Sequence, residues 1–485
     1  MRLLFRIFWV GVSAFLVFFL NALAYNPSGD TRYYASEVIC TNQKTSHLCT
    51  SQTTQSIYVF RQGGDNVTLQ QNMNSTYVSE TFSKFIGLAF NNSDTYREVL
   101  LKIFAVKSAV AALIITLVVY LQHRYRYLRS SVVRSTTGLL SLPFLLQSVA
   151  GPYPAGIAIL GLLLALMVLV VVGEDRIRLW DTPLLVGCWC ISCLVITTNR
   201  IDTLAFLLAM MVMFFIRQFA YAAGTVYLNP VVFVLMAISM LTIGFTWLID
   251  DKVLSLQKQV VTGQVTLVPT EISSKSTQLI DSIGLPGDLA FSLMAPITMI
   301  DNGTRAFVNA TYGPLFFESP QSTLVRFGLI TLVVIFVVLA WIPLGISSAS
   351  MVADTLSRLH AGAPRQKRLA TVSLIGLPLL IYFLVPWYVR GIWSLAYVLP
   401  IFLILTLASD ARRPLHSYEK LGFSVMFASN ISAIIAINGQ LGDVYVLGKK
   451  FPTLVVVLAL TASTAALLLG IFKPTKIPEA TSVAT

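Results

Sequence analysis

The sequence predicts an all-α polytopic membrane protein of about twelve spans with two large extracytoplasmic loops. Three observations carry that expectation. The 485 residues are 56% hydrophobic and only 12% charged, where a soluble chain carries roughly 25% charged residues. Apolar runs of about 20 residues recur along the whole length, and a helix rising about 1.5 Å per residue needs that many to cross the hydrocarbon core. The runs are continuous rather than alternating, which selects helices over a closed barrel, the only other structure that spans lipid.

The first apolar run is Ile7–Ala24, preceded by Arg2 and Arg6. It ends Ala22-Leu23-Ala24, the shape of a signal-peptidase site. The run is long for a signal peptide, so residues 1–24 read as a retained first span or signal anchor. A first polar loop covers 25–98. The first part of the bundle, 99–249, holds spans near 99–121, 136–150, 154–172, 183–198, 203–222 and 229–249. A second polar loop covers 250–325. The second part, 326–472, holds spans near 327–348, 369–389, 393–409, 421–437 and 452–472, and 473–485 is a tail. No internal repeat is present, so the usual sequence pointer to an inverted-repeat transporter is missing.

The net charge of +12 sits mostly in short connections between spans, as in His123–Arg134 and Arg358–Arg368. Placing both termini inside puts the connections 122–135, 173–182, 223–228, 349–368 and 410–420 on the cytoplasmic side. Arg124, Arg126, Arg129, Arg134, Arg176, Arg178, Arg365, Lys367, Arg412 and Arg413 then all lie inside, as the positive-inside bias requires. Lys449 and Lys450, in a short outer loop, are the exceptions. The positive charge is thus topological and implies no nucleic acid; the expected location is the cytoplasmic membrane.

The first loop opens Tyr25-Asn26-Pro27-Ser28-Gly29-Asp30-Thr31-Arg32-Tyr33-Tyr34-Ala35-Ser36-Glu37. Asp30 and Glu37 are seven apart and would share a helix face within a few residues of the outer membrane surface. A carboxylate there can take a proton from an acceptor hydroxyl or hold a divalent metal ion such as Mg or Mn. The bland alternative is a Pro-Ser-Gly turn with a capping Asp. Lys102 and Lys107 lie in the second span. Lys102 is close enough to the outer end to snorkel, whereas Lys107 is deeper and suits the bundle interior. Arg200, with Asp202, flanks one outer turn and Arg390 lies at another. Cations there suit a phosphate just outside the membrane, with interfacial anchoring as the alternative. Arg217 lies near an inner end and reads as an anchor.

Cys188, Cys190 and Cys193 fall in an apolar run and read as span packing rather than a zinc site, and no other metal site is assigned. Cys40 and Cys49 lie in the first loop; if that loop is outside, a disulfide between them would tie down one of its ends. The second loop offers Asp281, Asp288, Asp301 and Glu318 among Phe291, Phe316 and Phe317, a mixture that suits sugar binding or simple packing on a membrane domain. The sequence holds no phosphate-cradling glycine loop followed by Lys, no His-Glu-x-x-His and no nucleophile elbow. A pump driven by its own ATPase domain is therefore excluded for this chain.

Four places resemble a family of bacterial membrane proteins, common in actinobacteria and assigned to the GT-C glycosyltransferase superfamily. After its first span that family shows a Pro-Asp-Glu type motif and a small-residue helix; Asn26-Pro27-Ser28-Gly29-Asp30 with Ala35 stands here. Its first outer loop often carries two Cys about ten apart, as Cys40 and Cys49 do. Its third and fourth spans meet at a Gly-x-x-Asn-Pro-x-Gly turn, similar to Gly151-Pro152-Tyr153-Pro154-Ala155-Gly156 after Leu142-Pro143. Its late Trp-Gln-Gly-Arg-Tyr-x-x-Pro is matched at Trp393, Tyr397, Leu399 and Pro400, with Ser394, Leu395 and Ala396 replacing Gln-Gly-Arg. In layout alone the chain is also similar to serotype-converting O-antigen glucosyltransferases of phages and enterobacteria.

The resemblance implies a GT-C-like bundle that transfers a sugar from a polyprenyl-phosphate donor to an envelope glycan or glycolipid. It implies an outer carboxylate as base, for which Asp30 stands first and Glu37 second. It implies cations for the donor phosphate, for which Arg390, Arg200 and Lys107 are candidates. Arg32, Tyr33 and Tyr397 are candidate acceptor or sugar contacts. Two other readings compete: a transporter of envelope polysaccharide or lipid-linked oligosaccharide, and a catalytically inactive relative with a structural role. A transporter should carry ionisable residues deep in several spans, and Lys107 is the clear instance in the sequence.

Overall fold

A computed structural model describes residues 2–25, 80–91, 94–125, 154–173, 179–199, 204–221, 230–249, 345–354, 415–425, 444–446 and 449–472, with short pieces at 38, 134–136, 149, 342, 356–357, 372–374, 376–377, 403 and 406–407. These residues are almost all helical. The helices are α1 (Arg2–Tyr25), α2 (Glu80–Gly87), α3 (Tyr96–Arg124), α4 (Pro154–Gly173), α5 (Thr182–Asn199), α6 (Leu204–Tyr221), α7 (Pro230–Ile249) and α8 (Thr453–Phe472). Among the described residues five of them, α1, α3, α4, α5 and α8, are long and apolar enough to cross a membrane. The apolar segments Phe206–Gln218 of α6 and Pro230–Thr242 of α7 are shorter.

The central helix is α4. Its sequence is apolar on every face, with no stripe left for a polar surroundings, and such a helix belongs inside a bundle. From Ile157 to Val172 it is buried throughout, against α3, α5 and α6. The approach to α5 is close because Gly161 carries no side chain. A Cβ at Gly161 would stand 3.0 Å from Ile196 Cγ1 and 3.3 Å from the Ser192 carbonyl oxygen. Ser192 donates its hydroxyl to the Gly161 carbonyl across that contact. Small residues that admit a neighbouring backbone are how helices pack in lipid, where burying apolar surface gains little.

The other helices surround this centre. Trp189 of α5 is fully buried, and its indole N–H is shared by the Leu235 carbonyl at 3.0 Å and Ser239 Oγ at 2.9 Å on α7. On the other flank α1 packs between α3 and α8. A Cβ at Gly11 would meet Thr116 Oγ1 of α3 at 3.0 Å, and one at Gly470 of α8 would meet Val10 Cγ2 at 2.5 Å. The first and last described helices are therefore neighbours.

Helix α3 begins three residues before the expected span because Thr95 and Glu98 form a capping box. Glu98 N–H donates to Thr95 Oγ1 at 3.3 Å and Thr95 N–H to Glu98 Oε2 at 2.8 Å, satisfying two donors the helix leaves open. Lys102 reaches back toward this end of the helix and pairs with Asp94 at 2.7 Å. Two elements are new relative to the sequence reading: α2, inside the stretch 25–98, and an antiparallel hairpin of β1 (Val444–Val446) and β2 (Lys449–Phe451). Lys449 and Lys450 lie on its exposed second strand.

Polar contacts join the helix ends in two groups. Arg6 at the start of α1 donates to the Gly470 carbonyl, and Gln122 near the end of α3 to that of Ile471. Arg124 binds Asp181 at 2.8 Å, and the Tyr125 hydroxyl donates to the same carboxylate at 2.8 Å. Gln218 of α6 donates to the Gly173 carbonyl at 3.2 Å. Arg217, expected as an interfacial anchor, is instead buried at that end. The Gly161–Ser192 crossing sets the end of α4 level with the start of α5, so all these contacts lie toward one end of the described bundle. At the opposite ends, α2 lies against α3 and the close of α5.

Candidate functional site

The N-terminal half of α3, the C-terminal half of α5, the start of α4 and Phe85 of α2 enclose a cavity of about 300 Å³. Its length follows from α5, whose lining residues run from Ile191 to Asn199, a climb of about 12 Å at 1.5 Å per residue. The floor and walls are apolar: Ile191, Leu194, Val195, Val106, Val110 and Ile157. Three polar residues interrupt them, Lys107, Thr198 and Asn199.

Each polar residue has a local reason for its position. Lys107 is the twelfth residue of α3, about 16 Å along the helix from Tyr96, and it is fully buried. Thr198 donates its hydroxyl back to the Leu194 carbonyl. Asn199 closes α5 and is 2% exposed. Its Nδ2 donates to the Val195 carbonyl at 2.9 Å, while its Oδ1 has no hydrogen-bond partner among the described residues. A buried acceptor left in that state costs about 1–3 kcal/mol.

The cavity reaches the molecular surface. Leu194 and Phe85 line it and are 54% and 56% exposed. Leu194 lies on the flank of a helix apolar enough to span a membrane, five residues before its end, so this mouth faces where lipid would be. Phe85 belongs to α2, which is held by buried Ile86 and leaves Leu88 beyond it exposed. A short helix that keeps an aromatic and a Leu exposed at the bundle's end suits the bilayer interface.

A second polar cluster joins short described pieces at 134–136, 345–354 and 415–425. Arg134 and Glu419 are both fully buried and pair at 3.0 Å. Ser347 donates to Glu419 Oε1 at 3.0 Å and the His416 N–H to Oε2 at 2.9 Å. Burial alone would push the Glu419 carboxyl up. The hydrogen bond and charge of Arg134, with the His416 and Ser347 donors, outweigh it and hold the carboxyl below its ordinary range.

Of the residues expected to carry chemistry, the structure describes Lys107 alone, and brings it together with Thr198, Asn199 and Phe85. Asp30, Arg32, Tyr33, Glu37, Arg200, Arg390 and Tyr397 lie outside the described residues, as do Cys40 and Cys49. Cys188, Cys190 and Cys193 are free thiols on α5, with the Cys193 sulfur 3.9 Å from Ser239 Oγ. No group of three or more metal-ligand side chains occurs among the described residues. Sequence reading missed Asn199 and the buried Glu419. Asn199 carried one signal, a polar amide at the end of an apolar run directly before Arg200. Glu419 carried none, because the connection 410–420 mixes Asp410 with Arg412, Arg413 and Lys420. No family model, no curated protein and no solved structure matches this chain.

Proposed function

We propose that the chain is an integral membrane glycosyltransferase of the cytoplasmic membrane, moving a sugar from a polyprenyl-phosphate donor to an extracytoplasmic envelope glycan or glycolipid. The proposal includes twelve spans in a GT-C-like bundle, loops 25–98 and 250–325 outside, and both termini inside. One observation carries it: a cavity with a cation in its wall opens sideways through the lipid-facing flank of α5. A donor whose tail never leaves the bilayer needs such an entrance. Arg124 belongs to the helix ends opposite the cavity, which supports an outward-facing cavity under the positive-inside bias.

In this reading the acceptor hydroxyl oxygen attacks the anomeric carbon, and the bond from that carbon to the phosphate oxygen breaks. Asp30 takes the hydroxyl proton, with Glu37 as second choice. Polyprenyl phosphate leaves as an anion, stabilised by Lys107, Arg200 and Arg390. Arg200 follows Asn199 directly in the chain, and Asn199 lines the cavity. Arg32, Tyr33 and Tyr397 contact the sugar or acceptor. Among the described charged residues, Lys107 alone sits deep within a span, and a transport path would need more.

The test is reconstitution in proteoliposomes with a radiolabelled polyprenyl-phosphate hexose and an envelope glycolipid extract. Label should pass to the acceptor and stop doing so in Asp30→Asn. Label that crosses the bilayer still attached to its lipid, with no transfer, would establish transport instead.

A further inference from the structure

We infer that the α2–α3–α4–α5 cavity binds one lipid chain together with its sugar-phosphate head, with Lys107 holding the phosphate and Asn199 reading a sugar hydroxyl. The inference rests on the donor class proposed above and adds how the donor is chosen. Three features of the cavity set the ligand's chemistry. First, its volume of about 300 Å³ is at the small end of ligand cavities, roughly 300–1,000 Å³. That admits a stretch of one chain and not the paired chains of a phospholipid. Second, the apolar floor at Ile191, the mouth at Leu194 and the polar end at Thr198–Asn199 line up along α5. An amphiphile sliding in from the bilayer therefore arrives tail first against apolar walls, its head toward the helix end. Third, the two polar groups ask for different partners. The Lys107 ammonium attracts an anion. The open Asn199 atom is Oδ1, an acceptor, since Nδ2 donates to the Val195 carbonyl at 2.9 Å and to Thr198 Oγ1 at 3.4 Å. It needs a ligand that donates. A fully ionised phosphate has no proton to donate, whereas a sugar hydroxyl has. A phosphate carrying a sugar meets both demands at once.

Native mass spectrometry of the whole protein tests this with three probes: a polyprenyl phosphate, the same lipid carrying a hexose, and phosphatidylglycerol. The wild type should retain both polyprenyl lipids, the glycosylated one more, and exclude phosphatidylglycerol. Leu194→Trp plugs the mouth from a half-exposed position that tolerates bulk, and should lower occupancy by both polyprenyl lipids. Lys107→Met should lower both about tenfold, the worth of a charged hydrogen bond. Asn199→Leu should bring the glycosylated lipid down to the level of the bare one and leave the bare one unchanged. The inference is overturned if Leu194→Trp, monodisperse and with the wild-type Tm, keeps full occupancy. It is equally overturned if Asn199→Leu weakens both lipids alike or if phosphatidylglycerol competes. Should this binding pattern hold while no sugar is ever transferred, the site stands and the transferase reading falls. Should transfer occur with the cavity plugged, the reverse applies.

Discussion

Arg134 and Glu419 are 285 positions apart in the chain and meet with both side chains fully buried. Removing one charge from such a pair leaves the other stranded, at about 3–5 kcal/mol. Glu419→Gln should therefore lower the Tm in detergent strongly, and the double variant Arg134→Met/Glu419→Leu much less; equal losses would mean the pair is not the source. The pH dependence has a definite sign. Glu419 titrates lower in the fold than unfolded, so its stabilisation is complete above the unfolded value of about 4.3 and is lost as pH falls through the folded one. The wild-type Tm should drop on acidification below about pH 4, and Glu419→Gln should show a shallower drop. For Lys107, Lys107→Met should raise the KM for the lipid donor about tenfold, as expected for a lost charged hydrogen bond, with little change in Tm; an unchanged KM would remove Lys107 from the site. These residues were unequally legible. A lone Lys in an apolar run announces itself in the sequence. A pair separated by 285 positions leaves no local mark, and neither does the open acceptor of Asn199, which depends on what α5 meets.

Helices α4 and α5 touch through Gly161, where a Cβ would press on Ile196 and on the Ser192 backbone. Gly161→Val should cost about 1–3 kcal/mol by overpacking. Gly187, on the same α5, has open space around it, and Gly187→Ala should be neutral or slightly stabilising because Ala is the better helix former. Thermal melts of the two variants check the contrast, and equal Tm values would contradict the close crossing. Among the described residues most of the long helices were readable, whereas the expected spans near 136–150, 327–348, 369–389, 393–409 and 421–437 lie wholly or mostly outside them. The run 154–172 became α4 at Pro154–Gly173, and 183–198 became α5 at Thr182–Asn199, because Pro, Gly and polar residues end the apolar runs sharply. α2 and the 444–451 hairpin were not read. Eight residues give only two turns of helical period, and strands of three residues give hardly any alternation.

Taken whole, the bundle sorts its ends. Arg6, Gln122, Arg124, Gln218 and their partners gather at one end, whereas α2, Lys107 and Asn199 surround the cavity toward the other. The proposed chemistry needs the cavity end outside, since the donor's sugar and the acceptor must meet beyond the lipid. Arginine placement predicts that orientation from sequence alone, whereas the cavity required knowing which helices are neighbours. Cysteine labelling in intact cells tests the orientation directly. In a background with the five native cysteines replaced, Leu88→Cys and Trp180→Cys put thiols at sites 86% and 89% exposed, near the two opposite ends. A membrane-impermeant maleimide should label Leu88→Cys in intact cells and Trp180→Cys only after permeabilisation. Labelling of Trp180→Cys from outside, with Leu88→Cys protected, would turn the cavity toward the cytoplasm and contradict the account.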